Sequence, residues 1–269
     1  MDNMNKLDDL PLRDGGPPDA VVDEMLRAAN PRLARRLQRI KRAPARAAVI
    51  DSALGRLLVA ESARGLLTVT YLDTRDGKVT LAAIRQKYDV REDDGFAARV
   101  GAEIERFLNG ELDAIAHREL DLSLVESDFQ RRALRRLRQV SPGSVVTYQA
   151  LAAAIGAPDG QRAIGNTMAA NPLPIYVPCH RVIKSDGTIG NYGGGVARKL
   201  KLLRAEGFEV GRDHRLPAGA VYGHMVSHIF CRPTCQAVKR SERRKWIIFA
   251  DAERARRGGM RACKLCKPA

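Results

Sequence analysis

Cysteine is scarce in this chain, with five among 269 residues. A small secreted scaffold held by disulfides would carry many more, and the start of the chain is acidic and polar rather than signal-like. A reducing, cytoplasmic setting is therefore the expectation. No apolar run approaches the roughly 20 residues needed to span a bilayer, which argues against a membrane partner. Nor does any cluster of His, Asp and Glu suggest a metal site with an open position, so a metal-dependent nuclease is disfavoured.

Cations are abundant. The formal net charge is +15, and the residues from Gly211 onward hold 14 Lys and Arg against 4 Asp and Glu. Two-thirds of the excess thus sits in the tail. Charge of this sign points to a polyanion, nucleic acid before others, with a merely solvated basic surface as the plain alternative. The hydrophobic fraction of 45% is ordinary for a globular chain, and the length allows two or three domains.

Residues 1–45 read as an appendage: Asp8 to Pro18 is acidic and rich in Pro and Gly, and Val21 to Arg42 is a basic stretch with near-helical apolar spacing. From 46 to 121 the pattern is α+β. Ala47–Ser52, Arg56–Ser62 and Leu66–Tyr71 suggest a meander, followed by helices over Val79–Tyr88 and Asp94–Leu108. From 122 to 210 a helix over Ser127–Arg138 precedes two more, Tyr148–Ile155 capped by Thr147 and Arg162–Ala170. A helix-turn-helix of this kind can seat its second helix in a DNA groove. Ser185-Asp186-Gly187 between Val182–Lys184 and Thr188–Ile189 is a hairpin signal, here a wing. Val196–Ala205 closes the unit, with Gly207 past its end.

Pro178-Cys179-His180-Arg181 follows an apolar run. Cys179 alone could pack as a small hydrophobe or act as a nucleophile, and the motif by itself leaves both open. Its surroundings narrow the choice. Phe129-Gln130, Thr147-Tyr148-Gln149, Arg162-Ala163-Ile164-Gly165, Asn171-Pro172, Pro178-Cys179-His180-Arg181, Gly190-Asn191-Tyr192 and Glu206-Gly207 recur in the order and spacing of a known family. The chain from about Arg46 to Gly207 resembles the O6-alkylguanine-DNA alkyltransferases.

That resemblance implies an α+β / α/β architecture: a small ribonuclease-H-like unit over 46–121 and a winged helix-turn-helix alkyltransferase domain over 122–210. It implies a suicide reaction in which Cys179 takes the alkyl group from O6-alkylguanine, and from O4-alkylthymine, in double-stranded DNA. No external methyl donor takes part, and the protein acts as a monomer. An ordinary thiol is only about 3% thiolate at neutral pH, so a proton acceptor is needed. In an extended segment neighbouring side chains point apart, which denies Cys179 and His180 a direct dyad. The resemblance supplies a water between them, with Glu206 orienting His180. It also makes Asn171 a hinge, Arg162 the residue that replaces the flipped base, Tyr148 a phosphate and base contact, Arg181 a further contact on the DNA and substrate side, and Tyr192 a pocket wall. Position 193 is Gly where many relatives carry a side chain, which implies an altered pocket shape. A lesion-binding or regulatory protein that clears nothing is the alternative class.

The other four thiols form Cys231-x3-Cys235 and Cys263-x2-Cys266. Two close pairs at this separation suit a structural zinc site and would make 221–269 a small zinc domain. Phe230–Cys235 and Cys263–Pro268 resemble the metal-binding domain of the Ada family. There the position matching Cys231 also accepts methyl groups from phosphotriesters. The stretch Tyr222–Ile229 departs from that pattern, so a DNA-holding zinc module is the favoured reading of the tail. Arg243, Arg244, Lys245, Arg256, Arg257 and Arg261 suit phosphate contact.

Overall fold

The computed structural model describes Ala28, residues 42–74 and residues 81–268. The basic helix expected over Val21–Arg42 lies outside them save for Ala28 and Arg42. The architecture is mixed α+β and is built on two sheets.

In the first sheet β1 (Ala43–Ile50), β2 (Leu57–Ser62) and β3 (Gly65–Tyr71) form the expected antiparallel meander. A fourth strand, which the pattern did not suggest, changes its edge. Helix α1 (Leu81–Lys87) stops short of Tyr88, and β4 (Tyr88–Glu92) runs parallel to β1. The open edge of β1 offers ladder partners, and the aromatic Tyr88 and β-branched Val90 suit a pleated surface, so pairing overrides the helical reading.

Helix α2 (Asp94–Leu108) matches its expected bounds. The Asp93 carboxylate caps it by accepting from the Phe96 N–H at 2.7 Å. Phe96, Val100, Ile104 and Phe107 recur at helical spacing and are wholly buried in one core with Leu57, Val59, Leu66 and Val69. Each such side chain contributes roughly 1.5–3 kcal/mol of burial.

The second half begins with α3 (Asp128–Arg138) under a Ser127 cap, followed by β5 (Ser144–Thr147). Thr147 Oγ1 accepts from the Ala150 N–H at 3.0 Å and so starts α4 (Tyr148–Ala154), and α5 (Gln161–Ala169) comes after a turn. Cys179–Arg181 is a single 3-10 turn rather than an extended segment. Beyond it run β6 (Val182–Ile183) and α6 (Val196–Ala205). The expected wing turn closes, with the Lys184 N–H donating to the Thr188 carbonyl at 3.0 Å. Its return arm forms no ladder with β6, because Thr188 bridges to Arg215 instead.

The tail adds β7 (Val221–His224), β8 (Ile229–Cys231), α7 (Gln236–Arg240), β9 (Trp246–Phe249), α8 (Ala252–Arg257) and β10 (Arg261–Ala262). These strands continue the second sheet, in the order β10-β8-β7-β9-β5-β6. β5 pairs with β6 on one side and with β9 on the other, in register Val145 opposite Ile248. The cysteine-bearing tail is therefore stitched to the strand that precedes α4.

Phe107 packs within the core and lies edge-on to the His180 ring at 6.4 Å. Phe107→Ala should cost about 3–5 kcal/mol of stability. Chemical denaturation with an unchanged slope and a lowered midpoint is the expected readout.

Candidate functional site

The core cluster that holds α2 also holds Cys179, which is 6% exposed. Asn171 is buried and fully bonded: its Nδ2 donates to the Val177 carbonyl at 2.9 Å and to Cys179 Sγ at 3.1 Å, while Oδ1 accepts from the Leu173 N–H at 3.0 Å. One amide thus shapes the loop into Cys179 and points an N–H at its sulfur. Within that loop Ile175 is held at φ 77°, a strained conformation for a β-branched residue, by complete burial.

His180 and Glu206 are both completely buried, with His180 Nε2 bonded to Glu206 Oε1 at 2.8 Å. Burial lowers the His180 pKa, outweighing the upward pull of Glu206, so the ring is neutral at pH 7. With Nε2–H given to the carboxylate, the Nδ1 lone pair is left to accept a proton, and Nδ1 has no hydrogen-bond partner among the described residues. Burial pushes the Glu206 carboxyl up, but Arg181 and His180 together overcome it and bring it down to about 2. This chemistry can take a proton from a neighbouring thiol and hold the resulting imidazolium against a carboxylate.

Arg181, expected as a contact on the DNA and substrate side, is buried. Its Nη2 donates to Glu206 Oε1 at 2.7 Å, its Nε reaches both carboxylate oxygens, and its Nη1 donates to the Val140 carbonyl, all buried. Balancing the buried Glu206 charge consumes its guanidinium.

Cys179, Asn171, Tyr192 and Gly193 line one pocket. Tyr148 is half-buried, and its pKa is raised by burial and then by Cys179. Arg162 stands exposed in the first turn of α5.

Four contributors were missed in the sequence. Tyr71 and Val69 of β3 line the same pocket, although they belong to the first sheet. Lys199 is wholly buried on α6, and its Nζ donates to the carbonyls of Val182 at 2.7 Å, Ile189 and Asn191. Burial, opposed by Cys179, brings its pKa down to about 8. Its position three residues before Leu202 put it on the apolar face, which was the available signal. The Gly143 N–H donates to Glu206 Oε2 at 3.2 Å, where only a turn had been read.

In the tail the sulfurs of Cys231, Cys235, Cys263 and Cys266 lie within 4.8 Å of one another. A tetrahedral four-sulfur zinc site places its sulfurs about 3.8 Å apart, so the donor set fits that ion in number, type and spacing. Backbone N–H groups support the sulfurs. That of Arg232 donates to Cys266 Sγ at 3.4 Å, and those of Cys266 and Leu265 bring the Cys263 thiol down to about 7.

Comparison with known proteins agrees with both halves. Residues 128–208 match the family model described as the 6-O-methylguanine DNA methyltransferase DNA binding domain, and residues 209–269 match the metal binding domain of Ada. A methylated-DNA–protein-cysteine methyltransferase of Methanosarcina barkeri is 33% identical over 158 residues, which cover 59% of this chain and 94% of that protein. The chain belongs to the methylated-DNA–protein-cysteine methyltransferase family. The bifunctional transcriptional activator/DNA repair enzyme Ada of Escherichia coli is 35% identical over 165 residues, 60% of this chain and 45% of Ada. For that and several other curated relatives the matched region spans less than half of their length. Among solved structures, Mycobacterium tuberculosis OGT in complex with DNA is 33% identical, with a TM-score of 0.47 over 60% of this chain and 91% of that one. With the Ada match and the sulfur geometry together, the tail cluster is a zinc site.

Two outcomes follow. Because the Glu206 carboxyl is depressed in the folded state from about 4.5 to about 2, its contribution to stability is complete above the unfolded value and is lost as pH falls between the two. Denaturation curves should show wild-type stability falling more steeply across that window than stability of Glu206→Gln. Protein purified under reducing conditions should carry one zinc by elemental analysis, and its chelation should lower the unfolding temperature.

Proposed function

We propose that the chain repairs DNA by moving the alkyl group of O6-alkylguanine, and of O4-alkylthymine, onto Cys179 in one irreversible displacement. The observation that carries this reading is a neutral, carboxylate-bound His180 next in the chain to a thiol that receives the Asn171 N–H at 3.1 Å and lines a small pocket. The Cys179 proton passes through a water to His180 Nδ1, and the resulting imidazolium is held by Glu206. The Sγ–carbon bond forms as the carbon–O6 bond breaks, leaving the electron pair on the base. The thioether has no easy leaving group, so the protein works once and needs no external methyl donor.

The target atom is out of reach inside a duplex, so the nucleotide is turned out of the stack. Arg162, exposed in the first turn of α5, takes the vacated place, its planar cation suited to stacking on bases. Tyr148 meets the phosphate and the flipped base, and the Gly193 backbone N–H faces the base oxygen. Residues 46–121 act as a ribonuclease-H-like unit and 122–210 as a winged helix-turn-helix on double-stranded DNA, with the protein monomeric and cytoplasmic. Cys231, Cys235, Cys263 and Cys266 hold zinc, which supplies folding energy to residues 221–269. Arg243, Arg244 and Lys245 of that module form a turn beside α4 and extend the basic surface toward the duplex backbone.

Duplex DNA carrying a labelled O6-methyl group should transfer the label to wild type and not to Cys179→Ala. Transfer by the alanine variant at wild-type extent would sink the proposal. A tightly bound duplex with no gain in protein mass would favour the lesion-binding class instead.

A further inference from the structure

The pocket beside Cys179 is closed by a residue from the other sheet. Tyr71, the last residue of β3, is 4% exposed and meets Tyr192 edge to face, with ring centroids 6.2 Å apart and the two phenol oxygens 3.1 Å apart. Both rings line the pocket together with Cys179. Burial raises both phenol pKa values, so neither carries charge at neutral pH.

Tyr71 has little freedom to move. The Arg198 guanidinium sits over its ring, 4.5 Å from the centroid. Arg198 is itself pinned: Nη2 donates to Asp73 Oδ2 at 2.6 Å, Nη1 to the Gly194 carbonyl at 2.8 Å and Nε to the Leu54 carbonyl. On another side lies Gly194, where a Cβ would stand 2.5 Å from Tyr71 Cε2 and 2.7 Å from Tyr192 Cε1. There is no slack between the two rings and that backbone. The cavity has a volume of about 20 Å³, little more than a single water needs and far below that of small-molecule clefts.

We infer that Tyr71, clamped by Arg198 and Gly194 against Tyr192, sets an upper limit on the alkyl group that Cys179 accepts, admitting methyl-sized groups and rejecting aromatic ones. This rests on the transfer reading above and adds a substrate class to it. A methyl group needs only the space beside the sulfur. A benzyl group must place a flat ring beside the thiol, and the walls that would have to yield are two packed aromatic rings and a backbone. A close-packed wall of this kind rejects extra volume by strain. The polar contacts to the guanine itself are the same in both substrates, and a benzylic carbon is intrinsically at least as open to displacement as a methyl carbon, so a preference for methyl has to come from the wall.

The test compares single-turnover transfer to Cys179 from otherwise identical duplexes carrying O6-methylguanine or O6-benzylguanine. Wild type should favour methyl by about 100-fold, in the range that an ill-fitting apolar group costs an enzyme pocket. Tyr71→Ala should cut that ratio by about tenfold or more, while Tyr71→Phe, which keeps the ring, should stay within about threefold of wild type. Tyr71→Leu, which retains apolar bulk without the reach to Tyr192, provides a second variant should the alanine protein not fold, with a shift in the same direction. A ratio is unmoved by a uniform loss of active protein, so a merely structural role for Tyr71 leaves it unchanged. An unchanged ratio in whichever of the two variants folds overturns the inference, as does wild type accepting benzyl as fast as methyl. Absence of any methyl on wild-type Cys179 would instead sink the transfer reading itself.

Discussion

The structure turns on the burial of one carboxylate. Glu206, at the end of α6, is fully enclosed, and a lone charge there would be severely destabilising. It is matched by Arg181, His180 and the Gly143 N–H, which together satisfy both of its oxygens. Those donors belong to different parts of the chain, so holding the charge also fixes the 3-10 turn at Cys179, the turn before β5 and the end of α6. Gly207, at φ 86°, ends that helix, with Arg254 of α8 lying where any Cβ would stand. The proposed proton relay and the fold therefore share one interaction.

The tail joins the site at the same place. The Ala250 N–H, just past β9, donates to the Gly143 carbonyl at 3.1 Å, while the Gly143 N–H serves Glu206. The zinc-bearing strands thus reach the residue next to the relay through one shared sheet. The first sheet reaches it from the other side. Phe107 lies against His180, and Tyr176 donates to Glu103, which Arg118 ties to Glu61 of β2. The thiol sits where these three parts of the molecule converge.

Much of this was legible in the sequence, and what was not has physical causes. The cap at Thr147, the bounds of α2 and α6 and the four-cysteine cluster depend on local patterns, and they stand as read. The strand at Tyr88–Glu92 depends on an open sheet edge 45 residues away in the chain, which no local pattern reveals. A guanidinium beside a catalytic-looking thiol reads as a DNA contact until its carboxylate partner, 25 residues on, is placed in the core. Tyr71 looked like the end of a strand, and only the packing of the two sheets brings it to the pocket. The family resemblance supplied the identity of the relay, and the fold supplied its cost: a buried charge, a strained Ile175 and a buried lysine.

The central claim is that Cys179 is a one-shot acceptor served by this relay. The most direct measurement exposes the zinc-loaded chain to an excess of O6-methylguanine duplex and maps the alkyl group over all five thiols by peptide mass spectrometry. The account predicts one methyl per chain, on Cys179, with no further lesion lost once that site is full. Continued loss of lesion beyond one equivalent, or methyl groups found on other thiols with Cys179 unmodified, would contradict it.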